Sequence, residues 1–307
     1  MKKITLIFVL LFSISISNAQ DLYVKTYGKA DATPVLFLHG GPGYNSVAFE
    51  ISTAQNLALS GFFVIIYDRR GEGRSLQKDA TYTFNEAFSD IDQILEKYKI
   101  KKVSLIGHSF GGILGTIYAS KNTEKVSNLI LVGAPVSIQE TFKTIIASSK
   151  KIYEEKDDKT NLNYISMLEN MDNKSFQYAS YSFMHAMQNG FYSPKILSNE
   201  AKNIYNELSK SQNVKLASQM TYPAAIGFFK NEKYTSIDLT ENLSTLNKQL
   251  PIYGFYGKDD GLYSEKQVDD LRKIIGDENL KYLENCSHNV FIDQQKDFID
   301  QVVLWNK

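Results

Sequence analysis

The chain has 307 residues, room for one large domain or two modest ones with a sizeable core. Lys plus Arg and Asp plus Glu both number 34, so the formal net charge is zero and no basic surplus exists to neutralise a phosphate backbone, which argues against a nucleic-acid partner. Its only cysteine is Cys286, so no disulfide can form within one monomer, and cysteine usage neither demands nor forbids an oxidising compartment.

In chain order, Lys2 and Lys3 precede an apolar run from Ile4 to Ile16, which ends in Ser17-Asn18-Ala19. This pattern predicts a signal peptide over residues 1–19 and export to the periplasm or the medium. The run falls short of the ~20 residues that span a bilayer, and no cysteine follows it to carry a lipid, so no stable membrane anchor is expected after cleavage.

From residue 21 short β-branched or aromatic runs alternate with longer amphipathic ones. Val35–Leu38 reads as a strand, Val47–Leu59 as a helix and Phe62–Tyr67 as a second strand. A helix over Phe84–Tyr98 puts Phe84, Ala87, Phe88, Ile91, Ile94 and Leu95 on one face. Then come a strand Val103–Ile106, a helix from Phe110 and a strand Leu129–Val132. After a gap the rhythm resumes: strand Ile252–Tyr256, helix Glu265–Ile275, strand Leu280–Leu283 and a final helix Phe291–Trp305. Continuous apolar strands alternating with helices predict an α/β fold, a mostly parallel sheet covered on both faces. The gap, residues 137–250, lacks strand signals and is rich in helix formers and aromatics; it is read as a helical lid on a core formed by residues 20–136 and 251–307.

Gly107-His108-Ser109-Phe110-Gly111 falls between a predicted strand and a predicted helix. That context makes it a nucleophile elbow: the glycines permit a tight turn, and Ser109 stands above the sheet edge at a helix N-terminus. A serine hydroxyl needs a base. Of the four histidines, His39 and His108 lie in glycine motifs and His185 lies in the lid, where a surface or packing role accounts for it. His288 follows the last strand, whose loop emerges at the same sheet edge as Ser109, so it is the expected base. The acid should follow the preceding strand, where Asp259 and Asp260 compete and spacing favours Asp260. His39-Gly40-Gly41-Pro42-Gly43 follows the first long strand, and its Gly41 N–H, with that of Phe110, is the natural pair of oxyanion donors. This chemistry needs no metal and no cofactor. Three of the four arginines, Arg69, Arg70 and Arg74, cluster where a rigid bidentate fork is wanted.

Together HGGPG at 39–43, DRRGEGRS at 68–75, GHSFGG at 107–112, GKDDG at 257–261 and SHN at 287–289 resemble the proline iminopeptidase branch of the α/β-hydrolases, in order and over nearly the whole chain after residue 19. The resemblance implies an eight-stranded sheet with a helical cap inserted after the sixth strand. It implies a site-supporting loop of the form D-x-R-G-x-G-x-S, with Arg70 and Arg74 as hydrogen-bonding braces. It also implies removal of an N-terminal residue from small peptides, with cap glutamates holding the free amine. Tyr178–Tyr192 contains no acidic residue, while Glu169, Asp172, Glu200, Glu207 and Glu232 are available elsewhere in the lid. The expected partner is therefore a short peptide or other small molecule. An esterase or lactonase for small apolar or aromatic esters is the alternative, and a hydrolase-fold binding protein with little turnover is the alternative of another class.

Overall fold

The computed structural model describes residues 22–75 and 79–307, so the predicted signal peptide lies outside the described residues. Seven strands form one sheet in the order β1-β3-β2-β4-β5-β6-β7: β1 Val24–Tyr27, β2 Thr33–Leu38, β3 Phe62–Tyr67, β4 Val103–His108, β5 Val126–Val132, β6 Ile252–Gly257 and β7 Leu280–Leu283. Every pairing is parallel except β1 with β3. The expected eight strands are thus seven among the described residues, and the insertion follows the fifth of them rather than a sixth.

The sheet is covered on both faces because its strands are apolar on both. In β3, Phe63, Ile65 and Tyr67 join one core cluster while Phe62, Val64 and Ile66 join the other, as a period of two dictates. The first face packs α3, Phe84–Lys97, and α4, Phe110–Lys121, with the predicted stripe of α3 buried. The second packs the helical run α1 Val47–Phe49, a π-turn Glu50–Ala54 and α2 Gln55–Leu59. It also packs α13 Val290–Asp293 and α14 Gln295–Trp305, so the predicted final helix is broken at Gln294.

Between β5 and β6 lie α5 Ile138–Glu155, α6 Lys159–Glu169, α7 Phe176–Gln188, α8 Asn199–Lys210, α9 Val214–Ala217, α10 Tyr222–Glu232 and α11 Thr240–Leu246. The insertion is closed at its base, where Leu239 N–H donates to Val136 O at 2.7 Å and Ser137 bridges Asp238. After it, α12 Glu265–Ile275 opens on a capping box formed by Ser264 and Gln267.

Candidate active site

Ser109 occupies the turn between β4 and α4 with φ 52° and ψ −121°, a conformation that costs an L-residue of order 1–3 kcal/mol and persists only where the surroundings impose it. They do. Ser109 N–H donates to Val132 O on β5 at 2.9 Å, and a Cβ added at Gly111 would lie 2.0 Å from Leu38 O, so only glycine lets α4 start directly over β2. Gly107 is equally constrained, with a Cβ 2.6 Å from Gly112 Cα. Phe110 begins the helix, and its N–H belongs to the first turn, where backbone donors have no intrahelical partner.

His288 lies in the loop after β7, 4% exposed, and its Nδ1 is 2.8 Å from Oδ2 of Asp260, in the loop after β6. A carboxylate can only accept, so Nδ1 carries the proton and Nε2 is left as the basic nitrogen. Asp260 Oδ1 is held by Leu262 N–H at 3.1 Å. Asp259 points elsewhere: its Oδ2 accepts from Lys195 N–H of the insertion at 3.0 Å. Of the two adjacent carboxylates, the geometry therefore brings Asp260 to the imidazole. His288 is walled by the rings of His108 at 4.8 Å, Tyr192 at 5.2 Å and Tyr263 at 6.3 Å. His108 hydrogen-bonds through Nε2 to the carbonyl of His288 at 3.2 Å, and burial together with His288 pushes its pKa well below the usual histidine value. Of the surface and packing roles open to His185, the structure shows packing: it is buried, with Nδ1 2.9 Å from Tyr153 Oη.

The glycine loop after β2 is held from behind. Buried His39 accepts at Nε2 from Arg69 N–H at 3.0 Å, so its Nδ1 carries the proton and donates to Gly40 O at 2.8 Å. Burial and the Arg69 charge keep this imidazole neutral, its pKa well below the ordinary value. Pro42 is buried, and Gly43 O accepts from Thr221 N–H of the insertion at 2.6 Å. Gly41 has φ +117°, a backbone that favours glycine, and it borders the same space as Ser109.

Of the two predicted braces, Arg74 is the closer fit. It donates from its backbone N–H and Nε to Asp68 Oδ2 at 2.8 and 2.7 Å, and from Nη2 to Ser46 Oγ at 2.9 Å. Arg70 instead reaches outward to Asp90 on α3 at 2.6 Å. Asp68 is fully buried and also accepts from Ser46 N–H at 2.9 Å and Ser46 Oγ at 2.6 Å. Burial raises its pKa, but the hydrogen bonds from Arg74 and the neighbouring charges outweigh it and hold the carboxyl at about 2. A depressed carboxyl pKa stabilises the fold above its unfolded value of 3.8, and that contribution is lost as pH falls through about 2. Asp68→Asn should accordingly cost about 3 kcal/mol in urea unfolding at pH 7. The gap to the unsubstituted protein should narrow as pH falls from 4 towards 2; a gap independent of pH would remove the charge from the account.

Two residues of this network carry no weight in the motif reading, Arg69 and Glu72. Arg69 is 2% exposed, with Nη1 2.5 Å from His39 O and Nη2 2.6 Å from Gly40 O and 2.7 Å from Glu72 Oε2. Burial pushes the Glu72 carboxyl up to about 7, against the pull of the Arg69 charge. The signal available in the sequence was a charged pair i,i+3 inside a glycine-rich loop, where neither residue has a helix face to solvate it.

Ser109, His288, Gly41 and His108 border one cavity of about 460 Å³, whose walls are otherwise Phe37, Tyr44, Phe49, Phe183, Met187, Tyr192, Phe291 and small or neutral residues. A smaller apolar recess of about 20 Å³ beside it is lined by Ser109, Phe110, Ile113, Phe183 and Tyr263. Among the described residues, none that lines either space is an Asp, Glu, Lys or Arg. The five insertion carboxylates singled out in the sequence line neither space. Glu169 pairs with Lys150 at 2.9 Å, Glu207 with Lys210 at 2.9 Å, and Asp172 accepts from Lys174 N–H at 3.0 Å. Glu232 accepts from Phe84 N–H at 2.7 Å, at the start of α3, and Glu200 is exposed in the first turn of α8.

Residues 33–295 match the family model of the alpha/beta hydrolase fold. A proline iminopeptidase of Pestalotiopsis fici is 27% identical over 289 residues, 92% of this chain and 94% of that one. The match to a proline iminopeptidase of Arabidopsis thaliana is 30% identical over 126 residues, 39% of this chain, and spans only about a third (32%) of that protein's length. The solved structure of an esterase from Exiguobacterium antarcticum superposes with a TM-score of 0.60 at 20% identity, covering 92% of this chain and 94% of that one, a likeness of fold. The resemblance to proline iminopeptidases read from the motifs thus extends along the chain, which belongs to the α/β-hydrolase family and is a hydrolase.

Proposed function

We propose that the protein is a serine hydrolase that acts by Ser109–His288–Asp260 acyl transfer on small uncharged acyl substrates, carboxylic esters foremost, beneath the 137–250 insertion acting as a lid. His288 Nε2 takes the proton of Ser109 Oγ as Oγ attacks the carbonyl carbon. The oxygen that becomes negative lies between the N–H groups of Gly41 and Phe110. Protonated His288, held by Asp260, then gives its proton to the leaving group. Water, deprotonated in turn by His288, attacks the acyl carbon, and His288 returns that proton to Ser109 Oγ as the acyl–Oγ bond breaks and the acid is released.

The observation that carries the substrate class is the uncharged lining of the 460 Å³ cavity. A peptide's free ammonium moved from water into such a space without a carboxylate is an unpaired buried charge, a cost of several kcal/mol. An ester with apolar acyl and alcohol groups gains from the same walls. The second reading is removal of an N-terminal residue, proline among others, from small peptides; the full-length likeness to a proline iminopeptidase favours it.

One comparison separates them: prolyl, alanyl and N-acetyl-prolyl arylamides against p-nitrophenyl acetate and butyrate. The expected result is hydrolysis of the esters, with arylamide turnover slow and no faster for the free amine than for the acetylated one. Arylamide cleavage that exceeds ester cleavage and vanishes on acetylation would overturn the ester reading in favour of the exopeptidase. Absence of all turnover, with no labelling of Ser109 by a fluorophosphonate, would favour a binding protein.

A further inference from the structure

We infer that Arg69, held by Glu72, is a positioning residue for the oxyanion site: it aims and polarises the Gly41 N–H by gripping the carbonyl of Gly40. The inference rests on the acyl-transfer reading above and adds to it a residue that no motif requires. In the loop form D-x-R-G-x-G-x-S, Arg69, Glu72 and Arg74 fill the three free positions, and in this chain the first two of them are bonded to each other at 2.7 Å.

The geometry is direct. The carbonyl of Gly40 and the N–H of Gly41 are the two ends of one planar peptide unit, and in the trans form they point in opposite directions. Arg69 Nη2 donates to Gly40 O at 2.6 Å and His39 Nδ1 donates to it at 2.8 Å, so the carbonyl is fixed from the buried side. The N–H of Gly41 is thereby turned the other way, on a residue that borders the space against Ser109. Arg69 Nη1 holds the preceding carbonyl, His39 O, so the plane cannot rotate alone. Charge adds to position. A charged donor on the oxygen withdraws electron density from the amide and makes its N–H a stronger donor. The guanidinium also lies 5.3 Å from the ring centroid of Phe110, whose N–H is the second oxyanion donor. One buried cation therefore grips the peptide unit that carries the Gly41 N–H and lies over the ring of Phe110. A lysine at this place could hold only one carbonyl with comparable geometry.

The test uses the full chain with p-nitrophenyl acetate as substrate. Phenylboronic acid serves as a probe of the tetrahedral adduct, and unfolding midpoints identify folded variants. Arg69→Gln is expected to lower kcat by about 30- to 100-fold, somewhat less than outright loss of an oxyanion donor, with KM changed by less than about threefold. Its affinity for the boronic acid should fall by about the same factor as kcat/KM, which mere loosening of the fold would not produce. Arg69→Lys should recover part of both. If the glutamine variant does not fold, Glu72→Gln carries the test on the same criterion. It leaves the arginine donors in place but removes their carboxylate anchor, and about a tenfold parallel loss is expected. A folded variant with kcat within threefold of the unsubstituted protein overturns the inference, as does a kcat loss with unchanged boronate affinity. If the unsubstituted protein hydrolyses the ester through Ser109 and these variants do so equally well, the positioning role alone fails. If it hydrolyses nothing, the acyl-transfer reading fails first.

Discussion

Ser109→Ala is expected to lower kcat for p-nitrophenyl acetate by about 10⁶-fold, the scale seen when a catalytic serine or its histidine is removed from such a triad. The substitution deletes one oxygen from a side chain for which the fold has no other use. Its backbone supplies the link to Val132, and the φ of 52° is imposed by packing around Gly107 and Gly111, so the folded structure should survive. Stability and activity are thus separable here: the unfolding midpoint should move little while turnover disappears. His288→Ala should cost about as much, and the double variant should cost hardly more than either, because nucleophile and base act as one unit. A fluorophosphonate should label the unsubstituted protein and leave Ser109→Ala untouched. Retention of more than about a hundredth of the activity by Ser109→Ala would place the nucleophile elsewhere.

That such a prediction can be made from residue types reflects which features of this fold are local. Strands β2, β3, β4 and β6 were legible because a strand buried on both faces is apolar at nearly every position, as Phe62–Tyr67 is throughout. Strand β1 was not, because Val24-Lys25-Thr26-Tyr27 sits at the sheet edge, half solvated, and four residues carry too little alternation to be distinguished from a loop. The break at Gln294 escaped for a similar reason: Phe291, Phe298, Ile299 and Val302 keep a helical spacing across it. Ser109 and His288 were legible from chain order and from the glycines a sharp turn demands. Which of Asp259 and Asp260 meets the imidazole depends on contacts far away in sequence. One of these carboxylates meets His288, 28 residues on, and the other meets Lys195, 64 residues back. Nor could the sequence foretell that Phe191 O of the insertion would accept from both Ser287 Oγ at 3.0 Å and Gly261 N–H at 3.3 Å, tying the base loop to the acid loop. Arg69 was visible as an arginine with no assigned task, yet its task depends on a carbonyl 29 residues earlier.

Asp260→Asn is expected to lower kcat by about 10⁴-fold with little change in KM, and the reason lies in which nitrogen of His288 holds the proton. Asp260 accepts from Leu262 N–H through Oδ1 and from His288 Nδ1 through Oδ2. In asparagine the oxygen can still serve Leu262, so the loop should keep its shape, but the amide NH₂ then faces His288. Two donors cannot share that contact. Nδ1 must give up its proton and accept, which places the imidazole proton on Nε2, the nitrogen that has to receive the proton of Ser109. The base is then present, correctly placed and chemically reversed. The positive charge that His288 acquires during attack also loses its buried counter-charge. Asp259→Asn should change kcat by less than about threefold, since Asp259 bonds the backbone of Lys195 and lies apart from the imidazole. The pair of variants, assayed side by side on one ester with unfolding midpoints recorded, discriminates sharply. A large loss for Asp259→Asn and a small one for Asp260→Asn would show that the working loop differs from the geometry described. Equal, modest losses would show that His288 does not depend on a carboxylate to hold its tautomer.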